Sequence, residues 1–241
     1  GAGDYWVYSM VLAVPEFGVS ATGILRYEFV SQESLTIGGA TVPVNVMRVI
    51  GSALGAIPLI DLSAAVVIEG YVYESVEDMS TVRSALTYWT NVSWGSGEFS
   101  WPINSASRST STYTPALLYG FEPGVTAPGD SWTESIEVRT VYYNTTTGME
   151  ESESSRSMTV AYSAHDEFET VSTGAGSFQA LRITATENGV GRIVYWWSED
   201  VGLFVKEETY VEESALPVQT LSLDEWACLS RELRRIAGPQ G

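Results

Sequence analysis

His165 is the single histidine of this chain, and it stands beside Asp166 and Glu167. A histidine next to carboxylates has the parts of an acid–base pair, and Ser-His-Asp triads assemble in space rather than in sequence. No Gly-x-Ser-x-Gly elbow accompanies it. A lone histidine in a polar hairpin reads most simply as an exposed side chain. Cys228 is the single cysteine. It allows no intrachain disulfide and reads as a small packed hydrophobe. One histidine and one cysteine are too few for a tetrahedral zinc site. No D-x-D-x-D-G calcium loop is present. No glycine-rich loop ends in Gly-Lys-Ser/Thr, and Gly174-Ala175-Gly176 lacks the third glycine of a dinucleotide fingerprint. No metal and no cofactor are therefore expected.

Carboxylates are more plentiful. Glu69, Glu74, Glu77, Asp78, Glu199 and Asp200 lie near aromatic segments. Paired acids at the right separation hydrolyse glycosides, but acids at these positions read first as turn and surface groups. No catalytic residue is assigned, and no enzyme is expected.

The aromatic residues carry more weight. Trp6, Trp89, Trp94, Trp101, Trp132, Trp196 and Trp197, with 13 tyrosines, exceed what a small core needs. Trp196 and Trp197 are consecutive, so in a strand they face opposite sides. One enters the core; the other meets solvent, a second layer or a ligand. The candidate ligand-binding residues are Trp89, Trp196, Trp197, Tyr73 and Tyr195, lining an apolar or sugar-stacking concavity. Packing between the layers of a curved sheet accounts for the same pattern.

The elements that must position these residues are strands. Tyr5-Val7, Leu25-Phe29, Val42-Val46, Val67-Tyr73, Ile136-Val138 and Val194-Trp197 are rich in β-branched and aromatic residues. Gly38-Gly39 and Asn188-Gly189 read as hairpin turns. Residues 49–68 are the longest apolar stretch, but Pro58, Asp61 and two glycines interrupt it. It reads as two buried strands joined by a turn rather than a membrane span. Ser222 with Glu225 makes a capping box, and Leu223, Trp226, Leu229, Leu233 and Ile236 form one stripe, so a C-terminal helix over 222–237 is expected.

The chain also repeats itself. Gly3-Asp4-Tyr5-Trp6 returns as Gly129-Asp130-Ser131-Trp132, and Thr22-Gly23 as Thr147-Gly148. The Gly38-Gly39 turn and the Val44-Val49 segment have counterparts in Gly174-Gly176 and Phe178-Ile183. Tyr71-Tyr73, Glu77-Asp78 and Val82-Arg83 match Val194-Trp197, Glu199-Asp200 and Val205-Lys206. A fixed order of matching segments is the mark of a duplicated unit. The expected organisation is a first β unit over 1–112 and a Pro/Gly linker over 113–128. A second β unit follows over 129–221, then the helix.

Composition bounds the rest. The 241 residues are 44% hydrophobic, enough for a real core. Thirty acidic residues against 12 basic ones give a net charge of −18. That repels phosphate backbones and anionic membranes, so no nucleic-acid partner is expected. Lys206 is the single lysine, and so acidic a surface suits a salty exterior. The chain starts at Gly1 without Met and runs straight into a strand-like segment. The expectation is that an export leader has been removed, through which any membrane anchoring would have passed.

Gly-Asp-x-Trp at a strand start, Gly-x-Phe-x-x-Leu-x-Ile over 176–183, and Tyr-Trp-x-Ser-x-x-x-Gly-Leu-x-Val-Lys over 195–206 form a pattern. It resembles the LolA/LolB-like and DUF3108-like extracytoplasmic proteins. Asp200, Gly202, Leu203, Val205 and Lys206 match the acidic-Gly corner of those families. In the first unit Ser80 and Thr81 replace the Gly and Leu, so that copy departs from the motif. The resemblance implies two related curved antiparallel sheets, each a half-barrel wrapping helix. It also implies an exported or surface-anchored protein that holds a lipid or other apolar molecule in its concave face. The competing class is a structural or interaction module of the cell envelope with no small-molecule ligand. Nothing in the sequence fixes an oligomeric state.

Overall fold

The computed structural model describes residues 2–14, 19–57, 62–77, 80–94, 101–117, 127–189, 191–211 and 216–227. The first six strands are β1 (Tyr5–Val14), β2 (Val19–Ile37), β3 (Ala40–Ile57), β4 (Leu62–Ser75), β5 (Thr81–Trp94) and β6 (Trp101–Leu117). The second six are β7 (Ser131–Tyr143), β8 (Glu150–Thr173), β9 (Gly176–Glu187), β10 (Gly191–Ser198), β11 (Leu203–Tyr210) and β12 (Gln219–Ala227). Each strand pairs antiparallel with its neighbours in sequence, and β1 pairs with β12 to close one barrel. Closure leaves no unpaired edge, which suits a chain made almost wholly of strands.

The alternation in the sequence decides the faces. In β9 the residues Leu181, Ile183 and Ala185 are buried, while the polar residues between them face outward. β1 buries Tyr8 and Met10 in the same way, and β8 buries Met158, Val160, Tyr162 and Ala164. These inner faces form the core, in which side chains from the second half of the chain pack with those of β1, β2 and β3. Tyr8 anchors it: the side chain is fully buried, stacks on Phe204 at 4.9 Å and donates its hydroxyl to the Phe204 carbonyl at 2.9 Å.

Several of the matched segments take matched places in this barrel. Trp6 lies opposite Tyr27 across β1 and β2, as Trp132 lies opposite Tyr162 across β7 and β8. The Phe29 amide donates to the Asp4 carbonyl at 2.9 Å, and the Ala164 amide to the Asp130 carbonyl at 2.8 Å. Tyr73 faces Arg83 immediately before a register shift, and Trp196 faces Lys206 immediately before another. The Gly38-Gly39 turn joins β2 to β3, and Gly174-Ala175 joins β8 to β9. One match fails: Thr22-Gly23 lies inside β2, whereas Thr147-Gly148 lies in the β7–β8 turn.

Three expectations change. The two curved sheets are the halves of one closed barrel, not two half-barrels each wrapped on helix, and the described residues contain no helix. β6 runs through residues 113–117, the start of the expected linker, and pairs with both β5 and β7. At the C-terminus, Ser222 to Ala227 belong to β12. Leu221 and Leu223 are both buried with Ser222 between them, a period of two, and the ladder to β1 and β11 satisfies the backbone. Glu225 accepts a hydrogen bond from the Tyr5 hydroxyl rather than capping a helix. The remainder of the expected helix, with Cys228, lies outside the described residues. Residues 49–57 and 62–68 are two strands as expected, but Leu54 and Val67 point outward and are exposed.

Candidate functional site

Inside the barrel, a partly enclosed cavity of about 220 Å³ opens between the two halves. β2 contributes Leu25 and Tyr27, β4 contributes Val72 and Glu74, and β5 contributes Thr81. From the other half come Trp197 of β10, Phe204 and Glu207 of β11, and Leu221 of β12. Strand pleating explains Val72 with Glu74 and Leu25 with Tyr27, each two apart, while Phe204 and Glu207, three apart, reach the same face across the β11 register shift. The register shifts after Tyr73 and Trp196 bend both hairpins at this level.

The wall is apolar apart from a few groups. Glu74 is 8% exposed, and its Oε2 has no hydrogen-bond partner among the described residues. Thr81, its cross-strand partner, is 2% exposed, and its Oγ1 is likewise unpaired among the described residues. Neither Glu74 nor Glu207 forms an ion pair there. Burial without a counter-charge disfavours the ionised form. It pushes the Glu74 carboxyl up to about 8 and that of Glu207 up to about 7. Tyr27 stands near both. Its phenol is held well above the ordinary range, first by burial and then by the charges of Glu207 and Glu74.

Among the sequence candidates, Trp197 lines this cavity. Tyr195 is buried beside it with its ring 6.4 Å from Phe204. Trp196 takes the opposite face, where Lys206 lies over its ring at 4.7 Å and Glu169 accepts its indole N–H. Tyr73 also faces outward, opposite Arg83. Trp89 is 41% exposed and borders an outer groove with Val67, Asn91 and Asn104. The five candidates therefore do not converge on one site. His165 is half-buried, its Nδ1 3.3 Å from the Glu167 carbonyl. Glu74, read from sequence as a turn or surface acid, is buried instead, and Glu207 was not singled out at all. The repeat held a usable signal for Glu74, because it stands where the second half places Trp197, an acid at an aromatic core position.

Among the described residues, no group of three or more His, Cys, Asp or Glu side chains is arranged to hold a metal ion. No described helix is long and apolar enough to cross a membrane.

No family model matches the sequence, and no curated protein matches it. Among solved structures, the chain is similar to a protein of YmcC-like fold from Bacteroides fragilis NCTC 9343, provisionally named an exported protein. The two share 13% identity over 95% of this chain and 97% of that one, with a TM-score of 0.41. A likeness that loose carries no argument about function.

Proposed function

We propose that this chain is a non-enzymatic binding protein of the extracytoplasmic space that holds a small apolar molecule inside its barrel. The observation that carries this reading is the cavity of about 220 Å³ walled by Leu25, Val72, Trp197, Phe204 and Leu221. Apolar pockets with a few placed polar groups are the usual form of small-molecule sites. Export is supported by the acidic, lysine-poor composition and the resemblance of residues 195–206 to the acidic-Gly corner of extracytoplasmic families. The test is titration with n-propylbenzene, a neutral apolar probe, followed by amide chemical shifts. Saturable shifts at cavity residues that disappear in Leu221→Trp, which fills the space, support the reading. Absence of shifts in the unmodified protein removes it.

A second reading rests on the outer wall. Leu54 is 69% exposed, and Ile24, Val67 and Trp89 are also exposed on neighbouring strands. The register places Val67 directly opposite Trp89, with Ser52 between Ile24 and Val67. Exposed apolar side chains gathered on neighbouring strands, with Ser52 among them, suit a protein contact, as in an interaction module of the envelope. Sedimentation of Leu54→Ser/Trp89→Ser beside the unmodified chain tests it. Loss of self-association or of a partner peak supports it, and identical profiles count against it.

A further inference from the structure

We infer that the ligand of the barrel cavity is an organic cation, a small apolar body bearing one protonated amine, with its ammonium held between Glu74 and Thr81. This rests on the reading of the cavity as a ligand site and names the chemistry of its occupant.

Two unpaired oxygens mark the place. Glu74 Oε2 and Thr81 Oγ1 lack partners among the described residues, and the two residues that carry them pair across β4 and β5 and line one cavity. Glu207 reaches the same cavity from β11. No Lys, Arg or His is among the lining residues. An ammonium carries donors and no acceptor, whereas ionised carboxylates only accept. A neutral hydrocarbon fills the volume but leaves both oxygens unpaired. An anion meets two carboxyls and no counter-charge. Trp197 and Phe204 provide aromatic walls, which also favour a cation.

Protons follow the ligand. In the empty cavity, burial holds the Glu74 carboxyl at about 8 and the Glu207 carboxyl at about 7, so both are largely protonated at mildly acid pH. The other titratable group facing them is Tyr27 of β2, whose phenol stays neutral. Thr81 of β5, Trp197 of β10 and Leu221 of β12 bring no charge. An incoming ammonium supplies the missing counter-charge, so Glu74 ionises and its proton leaves to solvent. Binding therefore tightens as pH rises toward 8.

The experiment is calorimetry on the full chain with phenethylamine, its neutral isostere n-propylbenzene, and phenylacetate. Phenethylamine is expected to bind at least ~10-fold more tightly than n-propylbenzene, with phenylacetate weakest. At pH 6.5, titrations in phosphate and in imidazole buffers, whose ionisation heats differ, are expected to show net proton release. Glu74→Gln/Glu207→Gln is expected to abolish the preference while n-propylbenzene still binds. Equal binding of amine and isostere overturns this inference and leaves the apolar cavity site standing. No binding of either removes both. Proton release is read on the unmodified protein, so its absence counts against the inference even if the double variant fails to fold.

Discussion

Glu74 and Trp197 hold one position in the two halves of the barrel. Each directly follows a register shift, after Tyr73 opposite Arg83 in one half and after Trp196 opposite Lys206 in the other, and each lines the cavity. One half fills the place with an indole, and the other puts a carboxyl there. The difference creates the polar corner of an otherwise apolar chamber. A carboxyl buried there is expected to make the stability of the barrel depend on pH.

An acid whose folded pKa is raised binds more protons folded than unfolded, so its stabilising effect is present below the unfolded pKa and is lost as pH rises. Glu74 moves from 4.5 to about 8 and Glu207 from 4.5 to about 7. The unliganded barrel is therefore expected to lose stability as pH climbs from about 4.5 to 7, by up to about 1.4 kcal/mol per pH unit for each carboxyl. Between 7 and 8 only the Glu74 share remains. Glu74→Leu should remove that share and raise the melting temperature at pH 8 more than at pH 5. Urea titrations at several pH values check it. A flat profile, or a Glu74→Leu effect independent of pH, would place Glu74 in contact with water.

Tyr8 tests the core. Its hydroxyl donates to the Phe204 carbonyl inside the barrel, and its ring meets Tyr27 edge-on at 6.0 Å. Tyr8→Phe keeps the stacking and leaves a buried carbonyl unpaired, a loss of about 1–3 kcal/mol. Tyr8→Ala also opens a cavity and should lose about 3–5 kcal/mol. Equilibrium denaturation of the pair separates the hydrogen bond from the packing.

Much of this fold was legible in local sequence. The hairpin turns at Gly38-Gly39 and Asn188-Gly189 carry their own chemistry, since Gly38, Gly39, Asn188 and Gly189 all have positive φ. The strands announced themselves by alternation, and the Gly-Asp-x-Trp segments both fall at strand starts with the tryptophan opposite a tyrosine. Closure was not legible. Whether two curved sheets pack separately or join edge to edge depends on contacts between Tyr5–Val14 and Gln219–Ala227, at opposite ends of the chain. The cavity was hidden for the same reason, because Glu74 and Glu207 meet only once β4 and β11 face each other across a closed barrel. Aromatic counting found Trp197 but gave no face to Trp89, whose outward position follows from register alone.

Gly70 and Gly38 should respond very differently to the same change. Gly70 lies within β4, where a Cβ would fall on the backbone oxygen of Ala85 in β5. Neither strand moves without breaking its ladder, so Gly70→Ala is expected to cost about 3 kcal/mol or leave the chain insoluble. Gly38 sits at an open turn with φ +57° and nothing near its missing Cβ. Gly38→Ala therefore pays only for left-handed backbone, about 1–2 kcal/mol. Thermal melts of the two variants, with soluble yield, give the comparison. Equal effects would mean that the close approach of β4 to β5 is absent.

Ser222→Pro separates strand from helix at the C-terminus. As the cap or first residue of a helix, position 222 would tolerate proline, whose fixed φ and missing N–H suit a helix start. In the barrel, Ser222 lies opposite Ser9 of β1 and Lys206 of β11, and its carbonyl accepts from the Ser9 hydroxyl at 3.3 Å. A strand paired on both sides has little room for proline, which removes a donor and clashes with the ladder. The expected loss is about 1–3 kcal/mol, the range for one broken buried hydrogen bond. It should be accompanied by faster amide exchange in β1 and β11, the strands that β12 joins. Leu223→Val is the companion change. It puts a β-branched apolar side chain, one methylene smaller, at a fully buried strand position and should cost no more than about 1.5 kcal/mol. A proline variant as stable as its parent, with β1 still protected, would mean that the barrel does not close through residue 222.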